Sequence, residues 1–161
     1  MANTYTSLEY HIVFSTKNRE AWISQSIEER LWEYLGGFAR HNDIVPVRIG
    51  GIDDHIHMVA SMPPTLSVSR ALQLLKGGSS LWFHETFRRS AFAWQDGYGA
   101  FTVSRSQLPD VIRYVETQRE HHRGQTFQEE YRALLDRHGF DYDEKYLWGC
   151  QCVADASQPN L

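Results

Sequence analysis

The sequence predicts an α+β fold, one antiparallel sheet with two helices on one face, and three observations predict it. Runs of alternating polarity rich in β-branched and aromatic residues occur at 7–16, 44–52, around 55–60 and at 92–104. Two long stretches of helical periodicity lie between them, at 26–41 and over 65–87. The resulting order, strand, helix, strand, strand, helix, strand, is that of a ferredoxin-like domain. A chain of 161 residues, 42% hydrophobic and 13% aromatic, fills one core. A single domain is therefore expected over 1–149, followed by a flexible tail over 150–161.

"SLEYHIVFST" (7–16) alternates as a strand does and exits through the polar "KNREAW". "SIEERLWEYLGGFARH" opens on a capping box of Ser26 with Glu29 and sets Ile27, Leu31, Tyr34, Leu35 and Phe38 on one face. "IVPVRIGGI" (44–52) is a strand with Val45, Val47 and Ile49 in phase. The stretch from Gly50 to Asp54 turns it into the next strand as a hairpin. After Pro63-Pro64, Val68, Ala71, Leu72 and Leu75 recur at helical spacing, although Gly77-Gly78 weaken the middle of that helix. "FAWQDGYGAFTVS" reads as a strand or a short hairpin around Asp96-Gly97.

The third strand carries "DDHIHMVA". Successive side chains of a strand point to opposite faces, so His55 and His57 share one face while Ile56, Met58 and Ala60 share the other. If the apolar set packs under the two helices, the imidazoles leave through the opposite face, about 7 Å apart at their Cβ atoms. Both could then bind one cation, given a third ligand from elsewhere. The covering element is supplied by "SQLPDVIRYVETQREHHRGQ". Ser106 caps it, Pro109 and Asp110 suit its first turn, and Gly124 stops it. Leu108, Val111, Ile112 and Val115 form its apolar stripe. Tyr114 and Gln118, one turn apart, flank that stripe with His121 and His122 beyond, a polar row expected at the rim of a solvent-reachable groove.

The net charge is −4, but it is unevenly spread. Residues 1–69 carry 5 basic and 8 acidic side chains, 70–123 carry 8 and 5, and 124–161 carry 3 and 7. This balance argues against a protein that coats DNA non-specifically and confines the basic excess to the middle. No apolar run reaches the roughly 20 residues of a membrane span, and the N-terminus lacks the pattern of a signal peptide, so a cytoplasmic protein without membrane contact is expected. Cys150 and Cys152 lack zinc-finger spacing and suit a reducing compartment.

"DDHIHMV" followed some sixty residues later by "YVETQ" on a helix resembles the single-tyrosine HUH transposases of insertion sequences and the related REP-associated tyrosine transposases. The resemblance runs from "YHIVFSTKNR" through "LQLLKGGSSLWFHETF" to "HHRGQTFQEEYRALLDRHGFDYDEKYLW". It implies metal-dependent cleavage and rejoining of single-stranded DNA at element ends, with recognition of DNA hairpins. By the same resemblance His55, His57 and Gln118 hold Mg²⁺ or Mn²⁺, and Tyr114 is the nucleophile that takes the 5′ phosphate. It further implies a homodimer in which each tyrosine meets the histidines of the other chain.

The residue types suit that chemistry. A metal on a non-bridging oxygen stabilises charge developing at phosphorus, and two imidazoles with an amide leave its positive charge unneutralised. A phosphotyrosine ester conserves the energy of the broken bond, so the strand can be rejoined elsewhere. His121 or His122 is an alternative third ligand, otherwise a phosphate contact. Asp53 and Asp54 are candidates to orient an imidazole, or simple turn residues. Lys17, Arg19, Arg48, Arg70, Lys76, Arg105, Arg113 and Arg119 are candidate DNA contacts. Histidine-triad nucleotide hydrolases also use His-hydrophobe-His, but their third alternating histidine is Val59 here. The remaining alternative is a domesticated protein that binds REP-type palindromes with little or no cleavage.

Overall fold

A computed structural model describes residues 3–148. Its sheet is four-stranded and antiparallel throughout: β1 (Glu9–Ser15), β2 (Val45–Ile52), β3 (His55–Ser61) and β4 (Gly99–Thr102), in the order β2-β3-β1-β4. Helices α1 (Gln25–His41) and α2 (Val68–Phe87) join β1 to β2 and β3 to β4. This is the α+β arrangement expected. The tail expected over 150–161, with Cys150 and Cys152, lies outside the described residues. Among the described residues no helix is long and apolar enough to cross a membrane.

The larger core lies between the sheet and these two helices. Ile12 and Phe14 from β1 and Ile56, Met58 and Ala60 from β3 meet Leu31 and Leu35 of α1 and Ala71, Leu72, Leu75 and Phe83 of α2. Gly77-Gly78 do not break α2, because the absent Cβ has a use. A Cβ at Gly78 would stand 2.5 Å from the Phe38 ring, and Tyr34 of α1 donates to the Gly78 carbonyl at 3.1 Å. The helices thus approach closely there, and that packing offsets the cost of glycine in a helix interior.

Local expectations changed in four places. Helix α1 starts two residues early, with Ser24 as its cap residue, so Ser26 lies inside the first turn and forms no capping box. A register shift between Pro46 and Arg48 breaks the phase of β2, leaving Val45 59% exposed while Ile44 is buried. The fourth strand is short. Trp94 makes only an isolated bridge with Thr16, and β4 begins after the Asp96-Gly97 turn. The helix after β4 is two pieces, α3 (Leu108–Glu116) and α4 (Gln118–His121), broken at Thr117 (φ −103°, ψ 25°); Gln107, not Ser106, precedes the first turn.

Two further helices follow, α5 (Phe127–Arg137) and α6 (Glu144–Leu147). A capping box of Thr126 with Glu129 opens α5. Phe127, Leu134 and Leu135 of α5 join Val13 of β1 and Phe101 of β4 in a second, smaller core on the other side of the sheet. That side carries the histidines.

Candidate functional site

Antiparallel partners share a face, and the register sets Val13 opposite His57, Ser15 opposite His55 and His11 opposite Val59. His11, His55 and His57 therefore project together, away from the larger core. Helix α3 packs over β2 and β3, and it comes unusually close because β2 has glycine beneath it. A Cβ at Gly50 would lie 2.4 Å from the Val115 carbonyl oxygen. Tyr114 and Gln118 are thereby brought to the histidine face from α3 and α4.

The row expected at an open rim is not at a rim. His55, His57 and Gln118 are buried, while Tyr114 and His122 keep partial exposure. The reason is α5, which closes over the face and inserts Glu130, a carboxylate 2% exposed. One oxygen of Glu130 accepts from the Tyr114 hydroxyl and, at 3.2 Å, from the Gln118 amide nitrogen. Its other oxygen stands 2.9 Å from His122 Nε2 and 3.3 Å from the Nε2 atoms of both His55 and His57. Gln118 Oε1 is 3.2 Å from His55 Nε2 and 3.2 Å from His122 Nε2.

The opposite ring nitrogens are also held. His55 Nδ1 donates to the Asp54 carboxylate at 2.7 Å, His122 Nδ1 donates to the Gln125 carbonyl at 2.7 Å, and His57 Nδ1 pairs with His11 Nε2 at 2.8 Å. Burial, with the neighbouring His57, pushes His11 down to about 3, and burial pushes His57 down to about 4 against the pull of Glu130. His55 moves the other way. Burial opposes its charge, but hydrogen bonds to Asp54 and Glu130 raise it above the ordinary value. Burial alone would raise Glu130 too; hydrogen bonds from His122, His55 and His57 hold it well below the usual carboxylate range. Burial first, and then the Glu130 carboxylate, raise Tyr114.

The Tyr114 ring meets His57 edge-on at 5.7 Å and His11 at 6.0 Å between centroids, all within one chain. From solvent it is reached through a cleft lined by His11, Gln107, Asp110, Arg137 and His138. Arg137 is a cation facing the phenol that the charge pattern of the sequence did not single out. His121 stays outside the buried cluster, its Nε2 3.0 Å from Thr117 Oγ1 and its ring 4.7 Å from that of Tyr114.

The candidate DNA contacts scatter. Arg48 pairs with Glu116 at 3.1 Å, Arg105 with Glu9 at 3.6 Å and Arg113 with Asp110 at 3.4 Å. Arg119 turns to Glu28 and, at 3.9 Å, to Asp53, which is half exposed and touches no imidazole. Arg70 bonds Gln73 at 2.7 Å on the surface of α2. Lys76 donates to the carbonyls of Gln95 at 2.6 Å and Gly97 at 2.8 Å, so its ammonium holds the loop before β4 instead of facing outward. Lys17 is exposed on the turn after β1, and Arg19 beside it lies over the Trp148 ring at 5.4 Å.

Three members of the cluster were not assigned from sequence: His11, Glu130 and Arg137. Glu130 had a signal. It occupies the apolar stripe of α5 between Phe127 and Leu134, a core position where a carboxylate needs a buried partner. The donor set suits a divalent cation. One nitrogen each from His55 and His122 and an oxygen from Glu130 lie within 4.8 Å of one another, with the Gln118 amide oxygen beside them.

Comparison with known proteins places this chain among relatives. A family described as "Transposase IS200 like" matches residues 4–118. The transposase for insertion sequence element IS200 of Salmonella typhimurium is 30% identical over 122 residues, covering 71% of this chain and 80% of that protein. The ISDra2 transposase TnpA of Deinococcus radiodurans is 23% identical over 119 residues, covering 70% and 85%. A putative transposase from Deinococcus radiodurans R1 superposes with a TM-score of 0.59 at 23% identity, over 73% of this chain and 96% of that one. A REP-associated tyrosine transposase bound to a REP hairpin superposes with a TM-score of 0.56 at 12% identity, over 76% and 74%.

Proposed function

The chain belongs to the IS200-like transposase family, and on that premise we propose that it cleaves and rejoins single-stranded DNA through a covalent bond to Tyr114. The observation that carries the reading is the convergence of His55 and His57 from β3 with Tyr114 and Gln118 from α3 and α4 onto one face of the sheet. Tyr114 Oη attacks phosphorus of a phosphodiester, the P–O3′ bond breaks, and the 3′ oxygen leaves with a proton. The strand remains attached to the enzyme through its 5′ phosphate. Attack by a free 3′ hydroxyl reverses the step and returns the phenol, so no external energy source is consumed.

His55, His57 and Gln118 would hold a divalent metal, Mg²⁺ or Mn²⁺ in the sequence-level expectation. Bound there, it supplies Lewis acidity toward a phosphate oxygen. The protein's own contributions are separate from that. Glu130 holds the phenol oxygen at a fixed place, Asp54 and His11 fix the rings of His55 and His57, and burial keeps water from competing as nucleophile. Arg137 and His138, lining the cleft, favour entry of a phosphate. Recognition of a DNA hairpin is supported by fold similarity to a protein bound to one.

The groups we propose for the reaction lie together in this chain. Cleavage within a single chain is therefore the reading favoured here, and the homodimer implied by the resemblance is not required to assemble the site. The test of the function uses single-stranded DNA from the flanks of the coding region with divalent metal. Wild type should give a protein–DNA adduct stable in denaturing gels and a released piece with a free 3′ hydroxyl. Tyr114→Phe should bind the DNA with similar affinity and form no adduct; an adduct on another tyrosine overturns the assignment. Complete binding with no cleavage by wild type would favour the domesticated palindrome-binding protein instead.

A further inference from the structure

Four atoms in the buried cluster face one another with no proton to share. The Nδ1 of His55 donates to a carboxylate and the Nδ1 of His122 to a carbonyl, so in the neutral rings each Nε2 is a bare lone pair. Both lone pairs are aimed at oxygens that can only accept: Gln118 Oε1, at 3.2 Å from each, and Glu130 Oε2, at 3.3 Å from His55 and 2.9 Å from His122. The Gln118 amide nitrogen is committed elsewhere, to Glu130 Oε1 and to the Tyr114 carbonyl. Either two protons or one cation must reconcile this set.

The spacing is that of a coordination polyhedron. Bonds of about 2.0–2.1 Å place neighbouring ligand atoms about 2.8–3.0 Å apart in octahedral geometry and about 3.3–3.4 Å apart in tetrahedral geometry. The four edges measured here run from 2.9 to 3.3 Å. Each imidazole also has what a metal-bound histidine needs, an acceptor on its far nitrogen that fixes tautomer and ring plane. His57 is different. Its Nδ1 partner is another imidazole, and its Nε2 stands 3.3 Å from Glu130 Oε2, the same distance as that of His55.

We infer that His122 and Glu130 join His55, His57 and Gln118 around the divalent metal, making it a carboxylate-containing shell that prefers Mn²⁺ or Co²⁺ to Mg²⁺. This rests on the transposase reading but goes beyond the two strand histidines and the amide. Two imidazoles suit later first-row metals, whereas Mg²⁺ keeps its waters and favours oxygen. The second oxygen of Glu130, on the Tyr114 hydroxyl, ties the phenol to the metal shell through one side chain.

The experiment is a Co²⁺ titration of the full-length protein without DNA, read from visible absorption, with Mn²⁺ and Mg²⁺ as competitors. Wild type should bind one Co²⁺ per chain, and Mn²⁺ should displace it at concentrations at least about tenfold below those needed with Mg²⁺. Glu130→Gln should weaken Co²⁺ binding at least about tenfold with an unchanged circular dichroism spectrum. Should that variant not fold, His122→Ala carries the same expectation, because it removes a ligand from the turn after α4 and leaves α5 intact. Wild-type affinity in both folded variants, with binding lost in His55→Ala, overturns the proposal and leaves the adduct chemistry of Tyr114 standing. Failure of wild type to bind Co²⁺ at all overturns it too, with the cluster then closed by two protonated imidazoles.

Discussion

His11 Nε2 lies 2.8 Å from His57 Nδ1, so the orientation of one ring on β3 is set by a ring on β1. His11 meets the Tyr114 ring edge-on at 6.0 Å but its hydrogen bond goes to His57, through which it acts. His11→Ala should lower cleavage about 10–100-fold, and His11→Gln, whose amide reaches the position of Nε2, should recover most of it. Metal affinity should move in parallel with the rate, which a purely structural loss in a folded variant would not produce. An unaltered rate in His11→Ala would show that His57 needs no such partner.

Because Tyr114 meets His57 of its own chain, mixtures of His57→Ala and Tyr114→Phe chains should remain inactive. Adduct formation on mixing, scored on a denaturing gel, would instead show exchange of α3 between copies. The mass in solution, measured in parallel, reports association separately from chemistry.

Gly50→Ala should move the nucleophile without touching it. The new Cβ would stand 2.4 Å from the Val115 carbonyl, a backbone atom on the residue after Tyr114, so α3 must lift from β2. We expect a stability loss of about 1–3 kcal/mol, read by denaturant unfolding, and cleavage reduced more than DNA binding.

Lys76→Met should destabilise without any selective loss of DNA binding. Its ammonium satisfies two carbonyls ahead of β4, and charged hydrogen bonds of this kind contribute about 2 kcal/mol. A drop in Tm with DNA affinity per folded molecule unchanged is the expected result. A selective loss of affinity would restore Lys76 as a DNA contact.

The face of the sheet that carries the histidines was legible, because strand alternation is a rigid rule and Ile56, Met58 and Ala60 left no other choice. The antiparallel α+β class followed from the order of elements, whereas the strand order did not. Tyr114 and Gln118 were legible as a pair one turn apart, but their burial was not, since it depends on α5 folding back over them. His11 sits in phase with Val13 and Ser15 on β1, yet which strand pairs beside β3 is decided only by the assembled sheet. Glu130 lies in an "EE" pair that resembles an ordinary solvated helix face, and only the stripe from Phe127 to Leu134 marks it otherwise. The break at Thr117 escaped the periodicity because both halves keep helical spacing.

The two cores are unequal: among the described residues, the cluster between sheet and α1–α2 has seventeen buried apolar members and the cluster under α5 has five. Cooperative opening follows the smaller burial. The layer bearing Glu130 can therefore detach as a subglobal unit while β1, β3 and α2 keep their slowest-exchanging amides, and the free energy of that excursion sets how often the enclosed histidines meet solvent.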